Sequence, residues 1–229
     1  MTGVRRQASV KPGRADPTPD ARGLRTAPKA IELIVIGCSL GGLHALEKIF
    51  CALHRGFTAP IAVVQHRHQL SDQKLPEFFA NSCKLPVVDA EDKQWIRPGT
   101  VYFAPANYHL LVARGEFNLS TEKAVHHSRP SIDVLFESAA DAYRPHLIGV
   151  VLTGANDDGA AGARRIKTRG GVVVAQDPKT AEAAEMPRAA IATGAVDYVL
   201  PLEEIAPFLI KRCSLNRSEV RRFRSTGHR

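Results

Sequence analysis

The chain has 229 residues, 44% of them hydrophobic, which is enough for one α/β domain with a sizeable core and too few for two of ordinary size. No apolar run approaches the ~20 residues needed to cross a membrane, and none closely follows the basic N-terminus, so the expectation is a cytoplasmic protein with no membrane insertion and no secretory signal. The net charge of +8 sits at the ends: seven Lys/Arg against two Asp/Glu in residues 1–29 and seven against one in 211–229 give +5 and +6, leaving the body at −3.

Residues 1–28 contain Pro12, Pro17, Pro19 and Pro28, scattered charges and few large apolar groups. Such a segment cannot bury enough surface to order itself, so residues 1–29 read as a disordered basic leader. Ile31–Ile36 then forms an apolar run ending in glycine, the pattern of a buried parallel strand. Leu43, Leu46, Ile49, Phe50 and Leu53 recur at helical spacing, and Ala59–Val64 is a second buried strand. Gln73–Asn81 reads as a helix with Leu75, Phe78 and Phe79 on one face, and Val87–Ala90 as a weak strand. Val101–Ala104, Tyr108–Ala113 and Glu116–Ser120 are three strand-like runs with a turn at Arg114–Gly115, which predicts an antiparallel hairpin inserted in a parallel framework. Ile132, Leu135, Phe136, Ala139 and Tyr143 mark a helix, and Leu147–Leu152 a fully buried strand. There follow a helix through Ala163 and Ile166, a strand at Val172–Ala175, and a short helix with Pro187 in its first turn. A last strand at Val196–Leu200 and a closing helix at Leu202–Ile210 complete the body, and 211–229 reads as a basic tail.

The repeated βα units predict a doubly wound, mostly parallel sheet with helices on both faces and an inserted antiparallel hairpin. The basic ends lack interleaved aromatics and any nucleic-acid motif, so they read as solvated extensions, not as nucleic-acid arms. Cys38, Cys51, Cys83 and Cys213 are far apart and unpaired in spacing, as expected of free thiols in a reducing compartment.

In doubly wound sheets, sites form beyond the carboxyl ends of the strands. Three polar residues stand there. Ser39, in Gly37-Cys38-Ser39-Leu40-Gly41-Gly42, occupies a tight strand-to-helix turn where it is either a nucleophile or an ordinary helix cap. A dinucleotide fingerprint is disfavoured because Ser39 stands where the middle glycine should be. His66 follows the second strand and has the chemistry of a general base, with His68 as a competitor two residues on. Asp157 and Asp158 follow Leu147–Leu152. They could orient the histidine, cap the next helix, or, with further oxygen ligands, hold Mg²⁺. Three complementary residue types at three strand ends favour a Ser-His-Asp hydrolase.

At these residues the sequence resembles the catalytic domain of the chemotaxis receptor protein-glutamate methylesterases, the CheB type. The resemblance runs from Ile31 to Ile210. It rests on Ile34-Val35-Ile36-Gly37-Cys38-Ser39 with Gly41-Gly42, Val63-Val64-Gln65-His66, Arg97-Pro98-Gly99-Thr100-Val101-Tyr102-Phe103-Ala104-Pro105 and Arg129-Pro130-Ser131-Ile132-Asp133. Further on it includes Gly149-Val150-Val151-Leu152-Thr153-Gly154, Asp158-Gly159-Ala160-Ala161-Gly162, Ala175-Gln176-Asp177 and Met186-Pro187-Arg188-Ala189-Ala190-Ile191.

The resemblance implies a catalytic domain over 30–210, with Ser39 as nucleophile, His66 as base and Asp158 as the third member. It implies hydrolysis of glutamate γ-methyl esters on chemoreceptor helices or other chemosensory proteins, deamidation of certain receptor glutamines, and no cofactor or metal. The backbone N–H groups of Leu40 and Ala155 are the candidate oxyanion donors. Three family features differ: a stand-alone catalytic domain is expected, since residues 1–30 are too short for the N-terminal receiver domain of the best-known members, the usual Gln-His-Met-Pro is Gln65-His66-Arg67-His68, and the usual Thr-Gly-Met-Gly is Thr153-Gly154-Ala155-Asn156. The altered rim leaves open an esterase or amidase for another substrate, and a non-catalytic chemosensory binding module is the third reading.

Overall fold

All six residues of the first strand, β1 (Leu33–Cys38), are buried, as an unbroken apolar run requires when both faces of a strand are covered. The computed structural model describes residues 30–66, 74–125 and 127–226. The leader expected over 1–29 and the competing base His68 lie outside the described residues. After β1 come α1 (Gly42–Ala52), β2 (Ile61–Gln65), α2 (Leu75–Phe79), β3 (Val87–Asp89), β4 (Val101–Phe103), β5 (His109–Ala113) and β6 (Glu116–Ser120). The chain continues through α3 (Ile132–Tyr143), β7 (Leu147–Val151), α4 (Ala160–Thr168), β8 (Val172–Gln176), α5 (Glu185–Ala192), β9 (Tyr198–Leu200) and α6 (Leu202–Thr226).

Seven strands form one parallel sheet in the order β3-β4-β2-β1-β7-β8-β9. Side chains alternate along β1, so Ile34 and Ile36 enter one core with Leu46, Ile49 and Phe50 of α1 and Ile205 and Leu209 of α6. Leu33 and Val35 enter the other core, with Leu135 and Phe136 of α3 and Ile166 of α4. Helices thus cover both faces, as the βα rhythm predicts. β5 and β6 pair antiparallel in a separate two-stranded sheet, the expected hairpin. The hairpin is tied to α3, where Ser138 Oγ accepts the Val112 N–H at 3.1 Å and the Tyr143 hydroxyl accepts the Gly115 N–H at 3.2 Å.

The element bounds lie within two residues of expectation except at the closing helix. β9 is shorter than Val196–Leu200, and the closing helix continues past Ile210 to Thr226. Apolar spacing fades after Ile210, but residues 211–226 contain no glycine or proline to end a helix.

β1 lies between β2 on one side and β7 on the other, and the later strands continue outward from β7. This is the topological switch point, where the loops beyond the carboxyl ends diverge and leave a crevice. α3 approaches that crevice closely because Gly37 has no side chain. A Cβ there would lie 2.3 Å from Ile132 Cγ2, so any larger residue would drive the first turn of α3 off the sheet.

Candidate active site

The register of the parallel strands brings the site together. Cys38 pairs with Gln65 at the last rung of β1 and β2, so Ser39 and His66 leave the sheet side by side. The His66 N–H donates to the Cys38 carbonyl at 2.9 Å, and the Ser39 N–H donates to the Thr153 carbonyl at 2.9 Å. The ends of β1, β2 and β7 are thereby joined. Thr153 secures this corner further: its hydroxyl lies 2.8 Å from the Leu40 carbonyl and accepts the Ala183 N–H at 2.8 Å.

His66 Nε2 lies 2.8 Å from Asp158 Oδ2, across 92 residues of sequence. The histidine side chain is 10% exposed and the aspartate is fully buried. Asp158 Oδ1 accepts from the Ser131 hydroxyl at 3.0 Å and the Asp133 N–H at 2.9 Å, while Oδ2 also accepts the Ile132 N–H at 2.8 Å. These donors belong to the N-terminus of α3, whose free N–H groups and dipole favour a negative charge. Burial pushes the Asp158 carboxyl up, but the hydrogen bonds from His66 and from the Asp133 and Ile132 N–H groups outweigh it and hold the carboxyl below its ordinary value.

Of the two adjacent acids, Asp157 is exposed and Asp158 is the one that meets His66. The capping reading of Asp158 is corrected in an instructive way: its carboxylate caps α3, not the helix that follows it in sequence. α4 is served instead by Asp133 from α3, whose Oδ1 accepts the N–H groups of Gly159 at 2.9 Å and Gly162 at 2.7 Å. The two helices exchange caps. With four donors on its two oxygens, Asp158 has no lone pair left for a cation, so this carboxylate does not fit the Mg²⁺ reading.

The Ser131 N–H donates to His109 Nδ1 at 3.2 Å, and His109 Nε2 lies 3.1 Å from the Lys123 carbonyl. A neutral ring with its proton on Nε2 satisfies both contacts, so this buried histidine of β5 braces the α3 terminus. Cys38 is buried and its thiol is pushed up by desolvation, so it is held as a hydrogen-bond donor to Gln65 Oε1, at 3.0 Å.

Ser39 is half-buried, and the Leu40 side chain beside it is 55% exposed. The backbone N–H groups of Leu40 and Ala155 have no acceptor among the described residues. A cleft of about 230 Å³ opens next to this corner, lined by Gly41, His44, Thr153, Gln176, Lys179 and Glu182 among others. The sequence singled out Ser39, His66 and Asp158 but gave no role to Gln65, Ser131, Asp133, Thr153 or His109. The run Arg129-Pro130-Ser131-Ile132-Asp133 was visible as a motif, and its position at a helix start was the one available signal.

Serine, histidine and a buried aspartate thus stand at adjoining strand ends of a doubly wound parallel sheet, the residue types that a serine hydrolase uses. Residues 34–209 match the CheB methylesterase family model, and the chain belongs to that family. It is 49% identical over 181 residues to a Leptospira interrogans protein provisionally named protein-glutamate methylesterase/protein-glutamine glutaminase, covering 79% of this chain and 94% of that one. It is 38% identical over 204 residues to the protein-glutamate methylesterase FrzG of Myxococcus xanthus, covering 89% of this chain and 61% of that protein. The crystal structure of the Thermotoga maritima CheB methylesterase catalytic domain superposes with a TM-score of 0.76 at 36% identity, covering 80% of this chain and 99% of that one.

Proposed function

We propose that this chain is a serine hydrolase that removes methyl groups from glutamate side chains of chemoreceptors, with Ser39, His66 and Asp158 as its catalytic triad within residues 30–210. The observation that carries this reading is the 2.8 Å contact between His66 and the fully buried Asp158, beside Ser39 on the neighbouring strand end. Because His66 gives Nε2 to Asp158, Nδ1 is the ring nitrogen left to receive the Ser39 proton.

Ser39 Oγ attacks the ester carbonyl while His66 takes its proton, and the buried Asp158 stabilises the imidazolium that forms. The N–H groups of Leu40 and Ala155 are the donors for the tetrahedral oxyanion. Collapse breaks the C–O bond to the methoxy group, and His66 returns the proton so that methanol leaves. Water then attacks the acyl-enzyme with His66 again as base, freeing the glutamate carboxylate and Ser39. A glutamine side chain would follow the same course with ammonia as leaving group, which accords with the glutaminase in the Leptospira protein's name. The partners are methylated chemoreceptor helices, and the setting is cytoplasmic. No described helix is long and apolar enough to cross a membrane.

Methanol release from methylated chemoreceptor membranes tests this directly. Wild type should release methanol and Ser39→Ala should not. Equal release by both would remove Ser39 from the mechanism, and no release by a folded wild type would overturn the substrate.

A further inference from the structure

We infer that Gln65 is a positioning residue for the proposed reaction, setting the spacing of nucleophile and base through a single side-chain amide. The inference rests on the proposed roles of Ser39 and His66. Gln65 Nε2 donates to the Ser39 carbonyl at 2.9 Å and to the His66 carbonyl at 2.9 Å. Both amide hydrogens are thus committed, one to each residue between which the proton must pass. The amide oxygen is held in turn by the Cys38 thiol at 3.0 Å, so the group cannot rotate without losing a partner at each end.

The location makes this link consequential. The ladder between β1 and β2 ends at the Cys38–Gln65 rung, and its last backbone bond runs from the His66 N–H to the Cys38 carbonyl. Beyond that point the two chains diverge into separate loops, and the Gln65 amide spans the divergence. The Ser39 carbonyl already accepts the Gly42 N–H at 2.9 Å, so it has a partner without Gln65. What the amide adds is a connection between the two loops.

Gly42 makes the arrangement possible. A Cβ there would lie 2.2 Å from Gln65 Oε1 and 2.9 Å from Cys38 Sγ, so any side chain would displace the amide. Gln65 is only 7% exposed, and no solvent route replaces its bonds cheaply. A displacement of about 1 Å between reacting groups can cost about a hundredfold in rate.

The test is the rate at which a fluorophosphonate probe labels Ser39. Wild type should label and Ser39→Ala should not. Gln65→Met keeps the volume and removes both donors. It should fold and label some 10- to 100-fold more slowly, with the loss in the chemical step and not in probe binding. Gln65→Glu sets a carboxylate against two carbonyls, beside His66. It should label slowly, because a carboxyl group, ionised or not, cannot donate to both carbonyls. Cys38→Ala should slow labelling several-fold and Cys38→Ser, which restores a donor to Oε1, should recover it. The Cys38 pair decides the matter if Gln65→Met does not fold. Wild-type rates in Gln65→Met, or equal rates in Cys38→Ala and Cys38→Ser, would overturn this inference alone. A wild type that does not label at all would overturn the hydrolase reading and this inference with it.

Discussion

Asp158 carries more of the site than its place at the end of the proposed triad conveys. Each of its oxygens accepts two hydrogen bonds, and every donor points inward. Asp158→Asn would turn an NH₂ group toward the N–H of Ile132 or of Asp133 whichever way the amide faces. Leaving such groups unpaired in the interior costs about 1–3 kcal/mol. The substitution also removes the charge that steadies the imidazolium, so ester hydrolysis should fall on the order of 10³–10⁴-fold. Urea unfolding and methanol release measured on the same sample check both numbers. The pH dependence has a definite sign. The folded carboxyl titrates below its ordinary value of about 3.9, so its stabilisation is present above that value and is lost as pH falls through the folded one. Wild-type stability should therefore drop below about pH 4, and Asp158→Asn should show a flatter profile over the same range.

The elements that matter most to the site are α3 and α4. They are joined by crossed caps, with Asp158 serving α3 and Asp133 serving α4. Asp133→Ala strands the buried N–H groups of Gly159 and Gly162, at an expected cost of about 1–3 kcal/mol. For a chain of this size that is a fall of about 2–4 °C in Tm per kcal/mol, readable by calorimetry. Activity should fall as well, because Asp158 sits in the turn that Asp133 secures. A substitution at Asp157, exposed in the same turn, should leave the melting temperature nearly unchanged by comparison. The sequence showed both helices and both aspartates, and it offered helix capping as a reading of Asp158. It paired that cap with the wrong helix, because capping was judged by adjacency along the chain and the donors come from α3, some 26 residues earlier.

At the scale of the molecule, two cores share one sheet. Strands β1, β2 and β7 contribute alternate side chains to both, so neither core can be lost without exposing the other. Phe50→Ala in the first core and Phe136→Ala in the second should each lower stability by about 3–5 kcal/mol. Both should do so within a single transition, coincident by far-UV circular dichroism and by near-UV signals. Two separate transitions would mean that the helical layers unfold independently.

Local properties of the chain determined the order of strands and helices, the hairpin and the three residue types at the strand ends. Apolar runs, helical spacing and turn glycines act within a few residues, and these features needed nothing more. The 3D structure decided the rest. Strand register set Ser39 beside His66, the close approach at Gly37 brought the α3 terminus onto Asp158, and the fold chose which ring nitrogen of His66 meets that carboxylate. It also turned Gln65, a motif residue with no role of its own in the sequence reading, into the bridge between the two loops. These contacts join residues as distant in sequence as Gly37 and Ile132, and a hydrogen bond depends on ångström-scale placement that no local pattern encodes.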